Sequence, residues 1–257
     1  IKFKDNPCNF LIIKKMTDNE RQIKTEQWSV KTLLNSISKI SKPKYQRKRK
    51  WDKIPKSENR PNDKSYIKFL KNSRNSVHAI TFGQETKNNK VCFQNIDGNN
   101  RINALYNFIN RPFEIFGEYL DKFDDIDFED IKLLKKTFKS LTYNEVMNIR
   151  NVSKFLISND LQDLGDKLGV HKTDILDDVI VEIQNLLKCN NEYDFIENVK
   201  INVNIFIGYT DEELCGTYED INKFAGILTE TEILSSKLYN INVTIQDDVF
   251  KSRLIEI

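Results

Sequence analysis

Histidine, cysteine and long apolar runs are scarce in this chain of 257 residues, and each scarcity removes a class of function. The two histidines, His78 and His171, stand far apart, and the four cysteines, Cys8, Cys92, Cys189 and Cys215, form no CxxC pair. Such spacing supplies neither a zinc site nor a disulfide framework. Reduced thiols in an intracellular, cytoplasmic setting are the simpler expectation. No stretch approaches the roughly 18 apolar residues of a membrane span, and no signal peptide is visible. A net charge of +2 is too small to name a nucleic-acid partner, so only local clustering can do so.

What is present reads as a globular chain, with 39% hydrophobic and 30% charged residues. It begins at Ile1 without a methionine and ends inside "DDVFKSRLIEI", a helical pattern, so a longer parent protein is expected. Residues 1–27 are polar and irregular, an expected arm. "SVKTLLNSISKI" spaces Val30, Leu33, Leu34 and Ile37 as a helix with Ser29 as its N-cap. A basic stretch with three prolines follows, which forbids a long regular element. "KSYIKFLKN" predicts a short helix with Tyr66, Ile67, Phe69 and Leu70 inward. "SVHAITFG", with Val77, Ala79 and Thr81 on one face, and "KVCFQNI" predict two strands joined at the polar turn "ETKNN".

The second half predicts mostly helix. "DFEDIKLLKKTFKSL" carries Phe128, Ile131, Leu134, Phe138 and Leu141 on one stripe, behind an acidic entry that suits a helix dipole. "TDILDDVIVEIQNLL" carries Ile175, Val179, Ile183 and Leu186, with Thr173 as N-cap and His171 in a preceding turn. "KINVNIFIGY" alternates Ile201, Val203, Ile205 and Ile207 and predicts a return strand near 200–209. "TDEELCGTYEDINKF" predicts a helix, and Thr229 with Glu232 has capping-box spacing in the next one.

The chemistry concentrates in "NIDGNNRINALYNFI", residues 95–109. Ile102, Leu105, Tyr106 and Ile109 have helical spacing, so a strand ends in Asp97-Gly98 and feeds a helix. Free amides at the helix start favour an anion, and Gly98 lets it approach. Arg101 is placed to fork onto phosphate oxygens. Asp97 repels a phosphate unless a cation lies between them or it orients a water. The set suggests a nucleoside triphosphate with a divalent cation. The plainer alternative makes Asp97 an N-cap and leaves Arg101 in solvent.

"IDGNNRINALYNFI" resembles the "(I/V)DGQQR" signature of the family catalogued as domain of unknown function 262, which includes the S-type half of GmrSD restriction enzymes. Two further blocks resemble that family in order: "KPKYQRKRKW" at 42–51 and "YEDINKFAGILTETEIL" at 218–234. The resemblance implies an α+β fold, with a small mixed-sheet core similar to ParB and sulfiredoxin at residues 28–116. A helical subdomain at 117–257 completes it. It implies binding and hydrolysis of ATP, GTP or CTP with Mg2+, coupled to DNA restriction or defence. Asp97, Asn100 and Arg101 then act in catalysis, with Asp97 also holding the metal, while Gly98, Asn99, Gln46, Arg47 and Asn222 hold the nucleotide. Asn99 and Asn100 replace the family's two glutamines, so hydrolysis is less secure than binding. A sulfiredoxin-type cysteine is excluded, because Asn99 follows the glycine and Cys92 belongs to the preceding strand, where burial is expected. An HNH nuclease needs clustered histidines, so it belongs to a partner or lies outside this chain.

"KPKYQRKRKWDK" interleaves cations with Tyr45 and Trp51, and Lys48, Arg49 and Lys50 are its candidates for DNA contact. A non-catalytic nucleic-acid module and a metal-dependent nickase at Asp97 are the alternatives to an NTPase.

Overall fold

The computed structural model describes residues 21–43, 62–76, 78–87, 89–126, 131–159 and 161–224. The architecture is α+β: a five-stranded mixed sheet with helices on both faces. The strands are β1 (Gln22–Ser29), β2 (Ile40–Ser41), β3 (Ile80–Lys87), β4 (Lys90–Asp97) and β5 (Lys200–Ile207), in the order β1-β5-β3-β4-β2. β1 runs antiparallel to β5 and β3 antiparallel to β4, while β3–β5 and β2–β4 are parallel.

Strand β1 starts at Gln22, inside the segment expected to be an arm; its Trp28 is buried against Phe82 and Phe93 at ring distances of 5.7 and 5.4 Å. The return strand is not an appendage of the helical half, because β5 sits between β1 and β3. Hydrogen bonding therefore joins what the sequence divided at residue 116. Strand β3 begins later than expected, at Ile80, and Ile80 and Phe82 supply its core face instead of Ala79 and Thr81.

Helix α1 (Val30–Ser36) starts at Ser29, whose side chain accepts from the Thr32 amide as its N-cap. Helix α2 (Asp63–Ser73) buries Ile67 and Leu70 but leaves Phe69 exposed. It packs on α3 (Asn99–Asn110), where Asn107 Nδ2 donates to Asp63 Oδ2 at 3.0 Å. In α3, Ile102, Leu105 and Ile109 are buried as expected, whereas Tyr106 is exposed and Ala104 and Phe108 take its place.

Pro112 opens α4 (Pro112–Ile115), and a 3-10 helix at Gly117–Asp125 replaces the expected entry into the next helix. Then come α5 (Ile131–Ser140), α6 (Tyr143–Met147), α7 (Val152–Ser158), α8 (Gln162–Leu187), α9 (Phe195–Asn198) and α10 (Asp211–Phe224). Helix α8 is continuous, so His171 and Thr173 lie inside it and Thr173 is not at a helix start. Its core stripe is Leu176, Ile180, Ile183 and Leu187, a register that turns Ile175 outward. A helical stripe about 100° wide absorbs neighbouring registers equally well, and packing selects one of them.

The two sheet faces differ. One carries the main core, where Phe108, Phe116, Phe195 and Tyr143 form a ring cluster with α3 at its centre. The other is covered by α10, whose Leu214, Cys215 and Tyr218 pack on Ile96 and Phe206. No described helix is long and apolar enough to cross a membrane.

Candidate functional site

Strand β4 ends at Asp97, Gly98 turns the chain, and α3 starts at Asn99, so the predicted strand–turn–helix corner is present. Gly98 occupies the N-cap position with φ 107° and ψ 10°. A side chain there meets both a left-handed backbone and Ile80, whose Cγ1 and Cγ2 lie 3.0 Å from the point where a Cβ would stand. Because glycine has no side chain, the start of α3 has no side-chain cap, and its first turn contains no acid. Within that first turn nothing offsets the positive end of the helix dipole.

Asp97 is thus not the N-cap, and Arg101 is not solvated. The Arg101 Nη2 donates to Asp97 Oδ2 in an ion pair across the corner, with the side chains 14% and 32% exposed. The two groups anticipated as cation holder and phosphate binder neutralise each other in this state. Around the pair lie further polar groups, of which the sequence pointed only to Asn100. Burial raises the Tyr66 pKa, opposed by the nearby Ser76 hydroxyl and by the positive charge of Arg101. Asn95 is 2% exposed, and its Oδ1 and that of Asn100 are buried acceptors without a donor. An unmatched buried acceptor costs about 1–3 kcal/mol. In sequence Asn95 and Asn100 stand two residues before Asp97 and one before Arg101, respectively.

The β3–β4 register adds a second feature. Phe82 faces Asn95 and Thr81 faces Asp97, so Ile96 is an extra residue, a bulge at the end of β4. Across the sheet Thr81 also stands beside Asn204, and Asn204 beside Thr25. A polar row therefore runs from Asp97 to the outer strand, closed by Thr25 Oγ1 donating to Asn204 Oδ1 at 3.0 Å. Beside it Gln27 Nε2 donates to Asn202 Oδ1 at 3.2 Å. The alternation in "INVNIFI" already contained Asn202 and Asn204 on the face opposite Ile201 and Val203.

Asn99, Asn100 and Arg101 share the first turn of α3 with Gly98 before them. Asn222 is on α10, which packs against β4, but it is 4% exposed and its Nδ2 donates to the Tyr218 carbonyl of its own helix at 2.8 Å. Gln46, Arg47, Lys48, Arg49 and Lys50 lie outside the described residues, as do Val77, Phe128, Thr229 and Glu232. His78 is exposed, and Cys92, expected to be buried, is only half-buried. Among the described residues no group of three or more His, Cys, Asp or Glu is gathered for a metal ion. Asp97, the residue expected to hold the metal, is paired with Arg101.

No protein-family model, curated protein or solved structure significantly matches the chain.

Proposed function

We propose that the β4–α3 corner binds a nucleoside triphosphate with Mg2+ and hydrolyses it, as part of a DNA-restriction or defence-like protein. The observation that supports this reading best is the Asp97–Arg101 ion pair set across an uncapped, glycine-opened helix start. Asp97, freed from its arginine partner, would hold the cation that accompanies the nucleotide. Arg101, released on its helical turn, then reaches the phosphate oxygens, which are also drawn to the amides of Asn99 and Asn100. Asn100 orients the attacking water through its side-chain amide. The Mg2+ supplies charge neutralisation at the phosphates. The family resemblance would add Gln46 and Arg47 as phosphate ligands.

In the second reading the ion pair is a permanent tie, and the chain is a non-catalytic nucleic-acid-binding module. The mutual neutralisation of Asp97 and Arg101 favours that alternative. Turnover separates the two. Asp97→Asn keeps the shape of the side chain and removes its charge. The expected result is NTP hydrolysis at background level with an unchanged circular dichroism spectrum. Equal turnover in purified wild type and variant overturns the catalytic reading.

A further inference from the structure

We infer that the outward face of α5 is a docking surface for the phosphodiester backbone of a nucleic acid. This inference concerns a different part of the molecule from the corner and does not depend on nucleotide binding. Helix α5 has the sequence IKLLKKTFKS, with four lysines and no acid. At 3.6 residues per turn, Lys132, Lys136 and Lys139 fall within about 60° of one another. Leu134 and Phe138, 1% and 0% exposed, point the opposite way into the core. The three lysines are exposed, and among the described residues none of them has an ion pair or hydrogen bond. The fourth, Lys135, is the one with partners, Asp124 at 2.6 Å and Asp121 at 3.4 Å. The acids of segment 127–130 precede the helix and lie outside the described residues.

Within the described helix the row carries a local cost. Lys132 and Lys136 stand four residues apart with like charge, and Lys136 and Lys139 three apart, spacings that destabilise a helix. Lys132 also occupies the first turn, where the dipole disfavours a cation. An external polyanion relieves both costs. The row extends about 10 Å along the helix and consists of lysines, flexible point charges that suit a repeating phosphate more than one planar carboxylate. Phe138 of α5 meets Phe155 of α7 at 5.2 Å, which anchors the helix with its lysine face outward.

A lipid surface fits less well. Leu133, 45% exposed, is the one large apolar side chain α5 presents outward, and the apolar stripe is locked in the core, so nothing is free to insert.

The test is fluorescence anisotropy of the full chain on a labelled 20-base-pair duplex of arbitrary sequence, across a salt series. Vesicles of phosphatidylcholine with phosphatidylserine form a second arm. The combined variant Lys132→Gln, Lys136→Gln and Lys139→Gln is expected to keep its melting temperature or raise it slightly, as the like-charge repulsion is removed. Its plot of log affinity against log salt is expected to be shallower by about three, since each neutralised phosphate contributes roughly 0.9. Arginine at the same three positions is expected to restore the slope. Read as a slope, the result isolates α5 even where residues 42–53 contribute to affinity. An unchanged slope, no duplex binding by wild type, or binding to vesicles but not to duplex each overturns the proposal.

Discussion

Lys71 enters the interior with its charge: it is 7% exposed, and its Nζ donates to the Tyr119 hydroxyl at 3.1 Å and to the Leu186 carbonyl at the end of α8. The rings of Phe116 and Tyr119 lie 5.1 and 5.0 Å from it, a cation–π arrangement that offsets part of the lost hydration. Burial lowers its pKa from 10.5 to about 8, against the opposing pull of Cys189. Between those two values the unfolded chain holds more protons than the folded one, so stability rises with pH through that window. Cys189 acts in the other direction. Burial raises its thiol from 9.0 to about 11, so above pH 9 the unfolded state gains by ionising first. The melting temperature of wild type is therefore expected to climb from about pH 7.5 to about 9 and then to level or fall. Lys71→Met removes the climb and keeps the fall; the same climb in the variant contradicts this assignment. Lys71 was illegible in "KSYIKFLKN", because a lysine one residue past Leu70 reads as the solvent side of an amphipathic helix. Gly98 was legible, since an Asp-Gly between a strand pattern and a helix pattern has few other uses. The Asp97–Arg101 pair was half legible. Spacing brought the two residues together, but it did not show that their charges would meet.

At the scale of elements, sequence periodicity located β4, β5, α3 and α10, and what it missed depends on partners distant in sequence. β1 looked like an arm because only Trp28 on it is buried; its ladder belongs to β5, with Thr25 and Asn204 bonded across 179 positions. Helix α8 looked interrupted at "GVHKTD", yet it runs unbroken from Gln162 to Leu187. The close approach of α10 to the sheet was also invisible, because it rests on Gly83. A Cβ on Gly83 would collide with Leu214, which is 2% exposed and would have to shift within the packing. Gly83→Val is expected to destabilise by about 1–3 kcal/mol through overpacking. Leu214→Ala in the same background is expected to recover part of that loss, giving a non-additive pair in chemical denaturation. Strictly additive effects would show that α10 does not seat through this contact.

At the scale of the whole molecule, the sheet joins the beginning and the end of the described chain. β1 and β5 must find each other before the face behind the corner exists, a non-local pairing that slows folding. The consequence for function is that the corner is not a portable motif. Its floor is Ile80 on β3, its helix leans on α2, its bulge depends on the β3–β4 register, and α10 covers the reverse of β4. Two basic regions lie apart from it in sequence: residues 42–53 and the outer face of α5. That division suits a protein in which one site takes a small anion and another takes a long one.

The most direct test of the corner is thermal unfolding of the full chain with ATP, GTP, CTP or UTP in the presence of Mg2+, for wild type and for Arg101→Ala. A ligand at 100 times its dissociation constant stabilises by about 2.7 kcal/mol, which corresponds to a rise of about 5 °C or more for a chain of this size. The account predicts such a rise with at least one nucleotide in wild type and its loss in the variant. No rise with any nucleotide, or an equal rise in both proteins, contradicts it.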